Sequence, residues 1–235
     1  MGIFDRNKTG NATTSVAPED LGVLATQASK LVERILEVGI DGKGSFDSAQ
    51  KIADDARRRR SDPERVIDDI VGAHIRLGAG NGFATGLGGF VTLPVALPVN
   101  VAGFYILATR MAAAMAAVRG YDIAQPSVRS AILLSLVGAD SDDLLRKVGY
   151  VPTGRLADLA AQKMPGAVIM AVNKGVGFRL VTRLGKTTLA RFGRGVPLMG
   201  GVIGGGLDAY LLNKLADHVR TEFPVKATVT TLPPA

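Results

Sequence analysis

Cysteine and tryptophan are both absent from the 235 residues. Without cysteine there is no disulfide, no thiolate metal site and no cysteine nucleophile, and nothing marks an oxidising compartment. Aromatic residues make up only 5% of a chain that is 47% hydrophobic. The apolar mass therefore comes from Ala, Val, Leu, Ile and Gly, a composition suited to close helix packing. The N-terminus, Met1-Gly2-Ile3-Phe4-Asp5-Arg6, lacks the apolar core of a secretory signal and the Ser or Thr at position 6 of a myristoylation signal, so neither cleavage nor a lipid anchor is expected. Acidic residues are missing from one long stretch. Between Asp158 and Asp208 there is none, while Lys163, Lys174, Arg179, Arg183, Lys186, Arg191 and Arg194 all fall there. That block equals the whole net charge of +7 and favours an anionic partner: acidic phospholipid, nucleic acid or an acidic protein face.

Alternating strand patterns of useful length are also lacking, and what is present has helical spacing. Residues 1–17 are polar, with too little apolar surface to offset the entropy of ordering them, and read as a flexible tail. From Pro18, Leu21, Leu24, Ala25, Ala28, Leu31, Val32 and Ile35 follow the i, i+3, i+4 spacing of an amphipathic helix that stops near Gly39 to Gly44. A second helix from about Phe46 ends in Arg57-Arg58-Arg59-Arg60, where cations suit the negative end of the helix dipole. Ser61-Asp62-Pro63-Glu64 reads as a capping box with Ser61 at the N-cap, opening a helix whose buried stripe is Val66, Ile67, Ile70, Val71, His74 and Leu77.

The next stretch, Leu77 to Thr109, holds no charged residue. Its length would suffice to span a bilayer. Pro94 and Pro98 are expected to divide it, and Arg110, costly at a bilayer centre, argues against a spanning helix. A buried helical hairpin, or one dipping into the lipid interface, is the expectation. Gly120 reads as a C-cap, and Pro126 opens a helix through Ala131, Ile132, Leu134 and Val137 to Gly138. Asp140, Ser141, Asp142 and Asp143 begin a short one. Further helices are expected at about 153–163, 166–184 and 186–193, the middle one carrying Ile169, Met170, Val172, Val176, Leu180 and Val181. Val196 to Gly206 repeats the proline, bulky apolar and glycine chemistry of the central stretch. A last helix turns Leu211, Leu212, Leu215, Ala216 and Val219 inward and ends near Pro224. The expected fold is all-α: one compact multi-helix domain over 18–224 with a Gly/Pro-rich apolar hairpin at its centre, followed by a flexible tail over 225–235.

Catalytic chemistry finds little support. Gly185-Lys186-Thr187 resembles the end of a phosphate-binding loop, but Leu180 stands where that motif needs glycine. Gly86, Gly88 and Gly89 follow a helical pattern rather than a strand, which does not suit a dinucleotide fold. Of the two histidines, His74 lies on an apolar stripe and His218 beside Lys214 and Asp217, and neither has a partner at zinc-ligand spacing. Asp140, Asp142 and Asp143 are explained by the preference for acids at a helix start. The expectation is no catalytic residue, no metal, no cofactor and no enzyme. Nucleic acid is not expected either, since no recognition motif accompanies the basic residues.

Three stretches together, Gly82 to Pro98, Arg119-Gly120-Tyr121-Asp122 with the helix from Val128 to Gly138, and Val196 to Gly206 through Phe223, resemble the EcsC protein family over residues 20–224. The family takes its name from a protein encoded beside an ABC transporter. The resemblance implies a bacterial, non-enzymatic accessory role, with no reaction, cofactor or catalytic residue to carry over. The leading expectation is a cytoplasmic protein, peripheral on the inner face of the plasma membrane, that meets anionic phospholipid or a membrane protein. Phe83, Leu87, Phe90, Val91, Leu93 and Leu97 would be its apolar contact, and Lys174, Arg179, Arg183, Lys186, Arg191 and Arg194 its anion-binding surface. The alternative is a soluble helical binding module for a protein partner or an apolar small molecule. Homo-oligomerisation stays open under either.

Overall fold

The computed structural model describes residues 18–226 apart from 45, 88, 152–153 and 193–199; for 18–21, 24, 81–87, 89–101, 183–192 and 200–204 it describes the backbone without the side chains. The described chain is all-α and forms one compact arrangement. Both expected tails lie outside the described residues, except for Val225 and Lys226.

The helices are α1 (Pro18–Arg34), α2 (Ala49–Arg59), α3 (Pro63–Leu87), α4 (Gly89–Val118), α5 (Pro126–Val137), α6 (Ser141–Lys147), α7 (Leu156–Ala161), α8 (Gly166–Phe192) and α9 (Gly200–Glu222). A π-helical turn, Ile35–Ile40, continues α1. It leans on α4 so closely that a Cβ on Gly39 would sit 3.1 Å from the Ile106 carbonyl oxygen. The Ser48 hydroxyl caps α2 by accepting from the Lys51 N–H at 3.2 Å. At the start of α3 the cap is Asp62, not Ser61: its carboxylate accepts the Glu64 N–H at 3.1 Å, with Pro63 in the first turn. Glu64 is thereby free to reach Arg119 instead of closing a capping box.

From Ala108 to Val118 every residue of α4 is buried. A helix apolar on all sides must be surrounded, and α4 packs against α2, α3, α5, α9 and the π-turn. Its alanines, poor in apolar area one by one, let those neighbours approach from every direction. The end of α4 is closed by glycine chemistry. Gly120 (φ +89°) lets its own N–H reach Ala117 O and the Tyr121 N–H reach Ala116 O, at 3.0 and 3.1 Å, satisfying carbonyls the helix leaves open.

Several expectations need correction. Pro94 and Pro98 do not divide the central stretch, since α4 is helical from Gly89. Both fall in the first third of the helix and remove only the bonds to the Phe90 and Pro94 carbonyls. The pair of helices expected at 166–184 and 186–193 is one helix, α8, running through Gly185. Leu77 is 59% exposed, and the stripe of α3 passes instead through Gly78, against which Leu212 packs. Leu211 is 39% exposed and Met170 70% exposed, while Leu212, Ala216, Val219, Val172, Val176 and Leu180 are buried as expected. Lys226, placed in the tail by composition, donates its N–H to Arg119 O at 2.9 Å.

Candidate functional site

Three long helices define two ends of the bundle. Arg220 of α9 pairs with Asp68 of α3 at 2.5 Å, and a Cβ on Gly78 of α3 would meet Leu212 of α9, so α3 and α9 run antiparallel. Leu107 of α4 also lies against Gly78, while Arg119 just past α4 reaches Glu64 of α3, so α4 is antiparallel to α3 and parallel to α9. The start of α3 and the finish of α4 and α9 therefore share one end. The finish of α3 and the start of α4 and α9 share the other.

The first end is closed by arginines. Arg119, over nine-tenths buried, donates to the Arg220 and Phe223 carbonyls, both at 2.6 Å, and to Glu64 at 2.7 Å. Arg57 donates to Ala117 O and Val118 O at 2.5 and 3.0 Å, so an arginine of the basic run ending α2 caps α4 as well. These guanidinium groups sit where the helix dipoles of α4 and α9 are negative.

The second end carries the charge-free sequence. In α3 and α4 no charged residue separates Arg76 from Arg110, and α9 has none before Asp208. Two segments separated by 90 residues of sequence, 110–199, are thus brought to one place. α8 finishes in Arg183, Lys186 and Arg191, and eight residues after its last one α9 begins at this end.

Where charge resumes below this end stands an anomaly, Arg110. It is 9% exposed, and among the described residues it makes no hydrogen bond and no ion pair. Its guanidinium carbon lies 5.1 Å from the ring centroid of Phe46, a cation–π contact. Nε is enclosed without a partner, as is that of Arg119, so the contrast with Arg119 lies in the terminal nitrogens. The acid whose charge acts on it, Asp47, is held by Lys51 at 2.8 Å. Burial pushes the Arg110 pKa down, and Asp47 only partly offsets it. His74 of α3 shares this environment: its Nδ1 bonds the Ile70 carbonyl at 2.8 Å, and burial pushes its pKa down to about 4, with the Arg110 charge adding to the effect.

The residues expected to make contacts distribute unevenly. Phe83 and Leu87 lie on α3, and Phe90, Val91, Leu93 and Leu97 on α4, all at the uncharged end; their side chains are outside the described ones. Lys174 is exposed. Arg179 is 18% exposed and engaged, donating to the Asp140 carbonyl and to the Asp143 carboxylate, so its charge is answered within the protein. Lys147 and Arg179 together hold the Asp143 carboxyl below its usual range, Lys147 first. Arg183, Lys186 and Arg191 continue α8 with undescribed side chains, and Arg194 lies outside the described residues. Lys186 stands within continuous helix, which rules out the phosphate-binding loop.

A polar cavity of ≈ 130 Å³ lies among α6, α7 and α9 and is lined in part by Ser141, Tyr150, Arg155, Asp158, Gln162 and Glu222. Two of its three carboxylates serve the backbone: Glu222 accepts the Leu156 N–H at 2.8 Å and Asp158 the Arg155 N–H at 2.9 Å. His218 Nδ1 stands 4.0 Å from Glu222, and its Nε2 is enclosed without a partner. Among the described residues no His, Asp and Glu group is placed to hold a metal ion, and no helix is long and apolar enough to cross a membrane.

Sequence reasoning missed Arg110 as more than a cost to membrane insertion. The signal was available as a lone arginine between two apolar helical stretches; that it would find no counter-ion was not legible. Compared with models of known protein families, with curated proteins and with solved structures, the chain matches none.

Proposed function

We propose that the chain is a non-enzymatic accessory protein that associates peripherally with an anionic membrane surface. One observation carries this reading: two charge-free segments, remote in sequence, converge on one end of the bundle, and the basic finish of α8 leads into that end. An uncharged tip preceded in sequence by a basic stretch suits lipid better than water. Each Lys or Arg near anionic headgroups contributes about 1 kcal/mol, and the apolar tip adds burial that salt does not screen. The resemblance to the EcsC family adds a place for such a protein, on the inner face of the plasma membrane, assisting a membrane transport or envelope system.

Flotation with neutral and anionic vesicles, without detergent, tests the reading. Wild type is expected to float with anionic vesicles only and to be released by high salt. Reversing Lys186 and Arg191 to Glu should weaken partitioning at least about thirtyfold, the equivalent of two such contacts. Arg179 is a poor choice for this test, because its partners are within the fold. Leu87→Asp should abolish flotation, since a carboxylate at the uncharged end opposes both insertion and anionic headgroups. A protein that stays unbound under every condition, while folded, would instead be a soluble helical binding module for a protein segment or an apolar small molecule.

A further inference from the structure

We propose that Arg110 is a receptor for a phosphate oxyanion, and that in the membrane-bound protein the oxyanion is the phosphodiester of a lipid headgroup. The second half rests on the peripheral-membrane reading; the first does not.

A buried, unpaired guanidinium is unfavourable, because a charge removed from water needs an ion pair or hydrogen bonds in return. Arg119 shows what this protein does when an arginine is structural: a carboxylate and two carbonyls surround it. Among the described residues Arg110 has only the face of Phe46, with Asp47 diverted to Lys51. Its two terminal nitrogens, unlike Nε, are not both enclosed and unpartnered. They form the planar fork that binds phosphate or carboxylate in pairs of hydrogen bonds. Phe46, itself half exposed, covers one side of the guanidinium through the cation–π contact. Neutral His74 offers no competing cation, and the exposed Arg76, which bounds the charge-free run on α3, adds a second positive charge near the same level.

The placement of Arg110 admits either source of the oxyanion. It lies about 4 to 5 Å beyond Leu107, on the side away from the uncharged end, where charge resumes on both α3 and α4. A lipid phosphodiester reaches it when that end enters a bilayer down to the level of Arg76 and Arg110; free phosphate reaches it without a bilayer.

The experiment follows the Nε–H resonance of Arg110 in full-length protein labelled with ¹⁵N-arginine, assigned by its loss in Arg110→Met. Inorganic phosphate and phosphatidylglycerol-containing bicelles are added separately, and Tm and vesicle flotation are measured for both proteins. A shift with bicelles, together with flotation of Arg110→Met weakened about tenfold, as expected for losing hydrogen bonds to a charged group, supports the proposal with lipid as the source. A saturable shift with phosphate alone supports an oxyanion site served by free phosphate, and would hold even if the membrane reading failed. No shift with either probe, while wild type still floats, overturns the proposal and leaves the membrane reading standing. Arg110→Met is expected to have a higher Tm than wild type, since it removes an uncompensated buried charge; a lower Tm with unchanged flotation would show a purely structural arginine and overturn the site.

Discussion

Arg119 and Arg110 belong to the same stretch of chain, both are over nine-tenths buried, and they are treated in opposite ways. Around Arg119 the carbonyl ends of α9 and a carboxylate of α3 converge, and the guanidinium ties three helices at one end of the bundle. Around Arg110, where the charge-free half of the hairpin begins, the neighbours are an aromatic face and a neutral histidine. Burial alone therefore does not distinguish a structural charge from a functional one. The count of compensating partners does.

Arg119→Met is the substitution expected to cost most. It strands the Arg220 and Phe223 carbonyls and Glu64, and breaking a buried, hydrogen-bonded charge costs about 3 to 5 kcal/mol; chemical unfolding would measure it. A loss under about 1 kcal/mol would erase the contrast between the two arginines, especially if Arg110→Met were equally mild.

Acid should act next most strongly, through His74. Its folded pKa of about 4 lies below the ordinary 6.5, so the unfolded chain binds the extra proton first. The stability contributed by the neutral ring is complete above about pH 6.5, falls as pH drops and is gone below about 4, a change of about 3 kcal/mol. Unfolding midpoints between pH 7 and pH 4 test this. His74→Gln should flatten that part of the profile, and should do so less if Arg110 is also replaced, because their charges repel.

The smallest effects separate two kinds of glycine. A Cβ on Gly177 would stand 2.5 Å from the Ala28 carbonyl oxygen, so Gly177→Ala must push α8 away from α1, at about 1 to 3 kcal/mol. Gly80, on α3 near the uncharged end, has no atom of the described residues within 4 Å of where its Cβ would be. Gly80→Ala should stabilise the helix by about 0.5 to 1 kcal/mol. If it also left vesicle binding unchanged, the glycine there would serve neither packing nor lipid contact.

Much of this was legible in one dimension. Apolar spacing located α1, α5 and the inward faces of Val172, Val176, Leu212 and Ala216, because a helix brings residues three and four apart to one side whatever it packs against. Gly120 and Gly138 marked helix ends because both take positive φ. Local signals failed where a neighbour had the deciding vote. Glu64 looked like half of a capping box and is the carboxylate of Arg119. Leu77 looked buried by type, but the helix turns Gly78 inward, where Leu212 needs the space. Arg179 looked like a free surface cation, and Asp143 lies beside it across two helices.

By itself, then, the sequence determined the helical class, the positions of most helix ends and the existence of two charge-free segments, since each depends on neighbours a few residues away. Tertiary structure decided that those segments share one end of the bundle, that Ala108 to Val118 lies at the centre of the packing, and that Arg119 finds three hydrogen-bond partners while Arg110, among the described residues, has only the face of Phe46. Such pairings are made across the packed helices, between residues whose separation along the chain says nothing about whether they meet.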